Sequence, residues 1–391
     1  MTIEKLPQVV LATCGSWHLR QTARAFQDRG ALAGLWVADK NSTGLPPDKY
    51  HRCWPYQLAM QPFYYLMTPP SWWVEKPFYA LFPLWRGWLK RQTWPECNVV
   101  QAIMGFATEP FDRADRMGAL KVVDASNSHP TSYYGYMQRE CDLWCPGEKV
   151  PIPQWMFARM NRELERADLV LCPSTFVRDT MLANGIPEEK CFLNPFGVDT
   201  SLFIPRKTIP QKPRFICVGM ILLRKGHQYL FRAFEQVKRV IPEAELICVG
   251  NCRPDFRLER PRWKGTFTHY SKLPHRELAS LLTECTAFVL PSVEEGFALV
   301  LSEAMAAGLP IIASYESGAT TVIRDGIEGF IIHPREPGQI AEAMIRLAQD
   351  RVLNQRMGEA ARLKGAERNT WQDYGDRLLA EYERRLSARQ P

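Results

Sequence analysis

The chain has 391 residues, 46% hydrophobic and 23% charged. That is more than one ordinary hydrophobic core and the composition is globular, so two packed domains are expected and a disordered or fibrous chain is excluded. The net charge of +7 is mild for the length; it suits anionic small molecules or an anionic membrane surface, and calls for no nucleic acid.

Residues 8–13 read as a first parallel strand, 18–28 as a helix closed by Arg29-Gly30, and 35–38 as a second strand. Such a βαβ start predicts a doubly wound sheet with ligands at the strand C-termini. Neither a G-x-G-x-x-G nor a G-x-x-x-x-G-K-[ST] string is present, which disfavours nicotinamide, flavin and P-loop binding. The sequon Asn41-Ser-Thr43 has meaning only in a secreted chain, and no signal peptide is read before Gln8.

Residues 50–95 hold six of the twelve tryptophans (Trp54, Trp72, Trp73, Trp85, Trp88 and Trp94), beside Lys76, Arg86, Lys90 and Arg91. Seven prolines between Pro55 and Pro95 are expected to break this stretch into short pieces. Trp and Tyr beside basic residues suit a membrane interface, and an aromatic-rich insertion packed on its own domain suits the composition equally. No apolar run reaches the roughly 18 residues that span a bilayer. Residues 98–104 and 120–124 resume the sheet, and His129 follows at a strand C-terminus, as a cleft residue that bonds a sugar hydroxyl or as a structural loop histidine. His18 reads as a first-turn helix residue. The eleven cysteines are an odd number at scattered spacings, which fits reduced, cytoplasmic thiols; Cys141 and Cys145 lack a second pair to complete a zinc set.

Residues 168–174 form a strand and turn, with Ser174 or Thr175 capping the next helix. Residues 200–213 contain Pro205, Pro210 and Pro213 and read as the interdomain linker. The second half restarts with a strand over 214–218 that ends at Gly219. Arg224 and Lys225 follow on a loop, either as solvated cations or as a clamp for a diphosphate. Residues 286–290 are a buried strand, and 298–307 a helix stopped by Gly308-Leu-Pro310. Glu295 lies on the loop before that helix and Glu303 about two turns inside it. A helix N-terminus attracts phosphate, a carboxylate accepts two hydroxyl hydrogen bonds from a sugar diol, and Gly296 permits a close backbone approach. An isolated Glu pair would more often be one exposed and one half-buried acid. Residues 337–368 read as two helices and 371–386 as a last amphipathic helix.

The string Glu295-Gly-Phe297, Glu303-Ala-Met-Ala306, Gly308-Leu-Pro310 resembles the donor motif of the retaining family 4 glycosyltransferases, which have the GT-B fold. Lys225-Gly226 and the run Asn194-Pro-Phe-Gly-Val-Asp199 resemble the same family. The departures are Ala298 for a second Gly, Met220 for an Arg after Gly219, with Arg224 positioned to replace it, and Thr320-Thr321 for a Pro-Glu. The resemblance implies an α/β protein of two Rossmann-like domains facing a cleft: 1–205 for the acceptor, joined by a C-terminal helix over 371–391 crossing back to it, and 206–370 for the donor. It implies transfer of a sugar, with retention, from a nucleotide-diphosphate-sugar to a saccharide or lipid-linked acceptor in polysaccharide or glycolipid assembly. Glu295 would hold sugar hydroxyls, Glu303 the ribose, and Arg224 and Lys225 the diphosphate. Gly219, Gly296, Phe297 and Ala298 would complete the donor site, and His129 would face the sugar. No metal or other cofactor is expected, in keeping with the lack of an Asp-x-Asp string. The expected location is the cytoplasm, with a peripheral place at the inner membrane face. The alternatives are a nucleotide-sugar epimerase of the same fold and a non-catalytic membrane-associated assembly subunit.

Overall fold

The computed structural model describes residues 6–15, 18–38, 44–65, 71–150, 152–252, 260–263, 265–367 and 370–389, with backbone alone for 61–65, 71–76, 260 and 261. The sequon at Asn41 and the side chains of Trp72, Trp73 and Lys76 lie outside the described residues.

The first domain runs β1 (Val9–Ala12), α1 (Leu19–Asp28), β2 (Leu32–Val37), β3 (Tyr50–Arg52), α2 (Trp54–Tyr65), α3 (Ser71–Arg91) and β4 (Val99–Ile103). It continues with α4 (Thr108–Met117), β5 (Leu120–Asp124), α5 (Pro130–Trp144), α6 (Gln154–Arg166), β6 (Leu169–Cys172), α7 (Thr175–Ala183) and β7 (Cys191–Leu193). Its seven strands pair in the order β3-β2-β1-β4-β5-β6-β7. The second domain runs β8 (Arg214–Val218), α8 (His227–Val240), β9 (Glu245–Val249), β10 (Thr268–Tyr270), α9 (His275–Thr283), β11 (Ala287–Leu290), α10 (Leu299–Ala306), β12 (Ile311–Ser314), β13 (Gly329–Ile332), α11 (Pro337–Gln349) and α12 (Arg351–Gly365). Its six strands pair β10-β9-β8-β11-β12-β13. Every pair in both sheets is parallel, which explains the continuous apolar runs: strands covered by helices on both faces have no solvent side. Strand order reverses between β1 and β4 in one sheet and between β8 and β11 in the other, and a crevice opens at the C-terminal ends of such strands.

The last helix, α13 (Trp371–Ser387), returns to the first domain and packs on α1. Tyr374, Leu378 and Tyr382 enter the first core, the Tyr382 hydroxyl donates to Gln101 Oε1 at 2.9 Å, and Arg29 pairs with Asp376 at 2.6 Å. Gly375 makes this approach possible, since a Cβ there would lie 2.6 Å from the Ala25 Cβ. Thr370 and Asp373 form a capping box at its start.

Two expectations need correction. The second strand begins at Leu32, not Leu35. The prolines do not break residues 50–95 into short pieces: α3 runs unbroken through Pro77 and Pro83. A proline inside a helix loses one hydrogen bond and crowds the preceding turn, which costs about 3 kcal/mol. The apolar stripe Phe78, Phe82, Trp85, Leu89, spaced four, three and four, packs on the first core and offsets that loss. Phe82 and Trp85 stack into a cluster with Phe106, Trp155 and Trp88. The opposite side of the hairpin is open: Trp54 is 56% exposed, Leu58 60% and Leu84 43%.

Candidate active site

The loops after β8 and β11, which flank the second sheet's switch point, fold against each other. Gly226 sits at φ +72° with its α-carbon against the Pro291 carbonyl; a Cβ there would lie 1.9 Å from that oxygen. This contact fixes the short turn that carries Arg224 and Lys225 beside residues 291–296. The Val293 N–H donates to the Arg224 carbonyl at 2.9 Å, which continues the registration.

On this frame Arg224 Nη1 lies 3.1 Å from Glu294 Oε2 and 3.3 Å from Glu295 Oε2, and donates to the Glu294 carbonyl at 3.0 Å. Lys225 Nζ makes a close ion pair with Glu295. Burial would raise the Glu295 carboxyl; the Arg224 and Lys225 cations outweigh it and hold the group below the usual carboxylate range. Burial likewise works against the Arg224 charge, and Glu295 and Glu294 keep the guanidinium cationic. Gly219 adopts φ +142° with the Lys225 side chain 3.5 Å from where its Cβ would be. Arg224, Lys225, Glu295 and Gly219 therefore come together.

Helix α10 starts after Ala298, which caps it with no side chain, and carries no acid in its first turn, so its N–H groups are presented without a competing carboxylate. Phe297 and Ala298 are buried, and Phe297 meets Phe196 edge-on at 5.8 Å. Glu303 is the fifth residue of α10, so it lies little more than one turn inside the helix, not two. Burial raises its carboxyl, which His275 partly offsets, and among the described residues no hydrogen bond or ion pair engages it. It stands apart from the Glu295 cluster.

The first domain meets this loop directly. Gly296 comes close to the Ser126 carbonyl: a Cβ would fall 1.6 Å from it. Ser174 Oγ donates to the Gly296 carbonyl at 2.6 Å and also caps α7 through Val177. Thr320 and Thr321, which stand where the resemblance places Pro-Glu, bond Thr175: Oγ1 to Oγ1 at 2.8 Å, and Thr175 N–H to Thr321 Oγ1 at 3.0 Å. Their hydroxyls thus fasten one domain to the other.

His129 caps α5, with its Nδ1 accepting from the Thr131 N–H at 3.3 Å. Burial lowers its pKa to about 4, so the ring is neutral at pH 7. It follows Ser128, which bonds Glu294 across the cleft, so its loop adjoins the loop of Glu294 and Glu295. His18, expected as a first-turn residue, does more: Nε2 lies 2.8 Å from Asp124 Oδ2, and the ring stacks on Phe196 at 4.3 Å. Gln101 donates to the same Asp124 oxygen at 2.9 Å.

Sequence reasoning missed Glu294, Ser128 and the buried joint at Glu140. The last accepts from Gln228 at 2.8 Å, Tyr229 at 2.9 Å and Arg335 at 2.8 Å, all in the second domain. A charged residue inside an apolar helical face is the signal that marks Glu140; Glu294 has only its place beside Glu295. Among the described residues no three His, Cys, Asp or Glu side chains are placed to hold a metal ion, and Cys141 and Cys145 form no disulfide.

Residues 201–364 match the family described as Glycosyl transferases group 1. The sucrose-phosphate synthase of Thermosynechococcus elongatus superposes with a TM-score of 0.72 at 19% identity, over 98% of this chain and 100% of that one. The chain has the GT-B fold. Among curated proteins, this GT-B chain is 27% identical over 238 residues to the MMP alpha-(1->4)-mannosyltransferase of Mycolicibacterium hassiacum, covering 59% of the chain and 58% of that protein. It is 25% identical over 298 residues to the GDP-mannose-dependent alpha-(1-6)-phosphatidylinositol monomannoside mannosyltransferase of Mycolicibacterium smegmatis, covering 71% of the chain and 74% of that protein. The chain thus spans less than two thirds of the first relative's length.

Proposed function

We propose that this GT-B protein transfers a sugar from a nucleotide-diphosphate-sugar to an acceptor hydroxyl, with retention and without a metal. The observation that carries the reading is the convergence of Arg224, Lys225, Glu295 and the uncapped α10 N-terminus at the switch point of the second sheet. In that arrangement the two cations and the helix N–H groups stabilise charge growing on the departing diphosphate. Glu295 and the neighbouring backbone hold sugar hydroxyls, and Glu303, with no other partner, takes the ribose diol. The neutral His129 ring faces the sugar from the opposite domain as a hydrogen-bonding group, not as a cation.

The acceptor is a saccharide or lipid-linked glycan, bound over the C-terminal ends of β1, β4 and β5. The phosphatidylinositol mannoside specificity in the name of the second relative supports a glycolipid. Trp54, Leu58 and Leu84, with Arg52 stacked on Trp54, support a peripheral contact with an anionic membrane at its cytoplasmic face. No described helix is long and apolar enough to cross a membrane.

A melting-point panel of UDP-, GDP- and ADP-sugars tests the donor, since ligand bound to the native state alone raises the midpoint. With the donor that binds, proton NMR of the product anomer tests retention, and activity that survives EDTA tests metal independence. An inverted product, or loss on chelation with rescue by manganese or magnesium, overturns those parts. Isomerised donor formed without any acceptor would favour the epimerase.

A further inference from the structure

Glu294 is a fully buried carboxylate next to the donor-site Glu295. A buried carboxylate needs partners for both oxygens, and these partners come from two domains. Oε2 takes Arg224 Nη1 at 3.1 Å. Oε1 takes the Ser128 N–H at 3.1 Å and the Ser128 hydroxyl at 2.9 Å. One side chain therefore ties the cation assigned to the diphosphate to the loop, ending in His129, that the first domain lays across the cleft.

The charges sharpen the point. Arg224 and Lys225 carry two positive charges, and Glu294 and Glu295 already balance them. A diphosphate brings more negative charge to the same place, and the Glu294 carboxylate beside Arg224 Nη1 neutralises part of the positive charge that the diphosphate would meet. Glu294 stays buried in either case, because Ser128 keeps two hydrogen bonds on it.

We propose that Glu294 is a positioning residue that competes with the diphosphate for Arg224 and thereby limits how tightly the nucleotide product is held. The proposal rests on the donor reading above. Glu294 touches no reacting atom; it acts through Arg224, and its link to Ser128 makes that competition depend on the two domains being together.

The test is calorimetry of UDP, GDP and ADP binding to the full chain. Glu294→Gln keeps an oxygen for Ser128 and removes the charge that holds Arg224. The expected result is nucleoside diphosphate bound roughly ten-fold tighter, the size of one charge-assisted hydrogen bond released. Made in an Arg224→Gln background, the same change is expected to do nothing, because the effect passes through Arg224. Unchanged or weaker binding in the single variant overturns the assignment, and so does equal tightening in both backgrounds, which would mean a general field effect. Should the glutamine variant melt far below wild type, Glu294→Asp keeps the charge beside Ser128, retracts it from Arg224, and is expected to tighten binding in the same direction. Wild type that binds none of UDP, GDP and ADP sinks the donor reading and this inference with it; wild-type binding with unaltered variants sinks this inference alone.

Discussion

Arg224, Lys225, Glu294 and Glu295 form a compact group of two cations and two anions at a strand terminus, and the group sets what single substitutions do. Lys225→Ala is expected to leave Glu295 paired with Arg224 alone and to weaken donor binding by about 1.5–3 kcal/mol. His129 makes a separate prediction. Its folded-state pKa of about 4 lies below the ordinary 6.5. The unfolded chain therefore binds a proton between these values that the folded chain refuses. Stability is fully present above pH 6.5 and is lost as pH falls toward 4, by about 3 kcal/mol at most from this group. His129→Asn keeps a side-chain oxygen to cap α5 and removes the titration. Its melting point is expected to fall less than wild type's between pH 7 and 4.5; an equal fall would contradict the assignment.

At the scale of elements, α2 and α3 separate two roles that the sequence presents together. Trp85→Ala is expected to destabilise the protein by about 3–5 kcal/mol, since it empties a fully buried aromatic site. Trp54→Ala with Leu58→Ala is expected to leave the melting point unchanged and to reduce co-sedimentation with anionic liposomes at low salt. Wild type that stays in the supernatant would remove the membrane contact from the proposed function. The composition of residues 50–95 could not separate these faces, because the same side chains serve cores and interfaces; only the four-three-four spacing of Phe78, Phe82, Trp85 and Leu89 marks the buried one. The central parallel strands were readable because they are mostly apolar. The loops after β8 and β11 were readable because glycines and charges sit at fixed offsets: Gly226 against Pro291 is a contact that any Cβ forbids. Contacts between domains left little trace. Ser128, Thr175 and Thr321 are short polar residues with many possible partners, and nothing local says that they meet the other domain.

At the scale of the molecule, the segments that follow β5 and β6 in the first domain meet the second domain through polar contacts of Ser128, Glu140, Ser174 and Thr175. Helix α13 joins the chain's end to the first core. The account's central claim is that this cleft binds a nucleotide-diphosphate-sugar through the Lys225 and Glu303 sides together. Titration calorimetry of wild type, Lys225→Ala and Glu303→Ala with UDP-, GDP- and ADP-sugars measures it most directly. The account predicts saturable one-site binding of one nucleotide class, weakened about ten-fold or more in each variant whose melting point is retained. Donor affinity unchanged in both variants, or no binding of any sugar nucleotide by wild type, would contradict it.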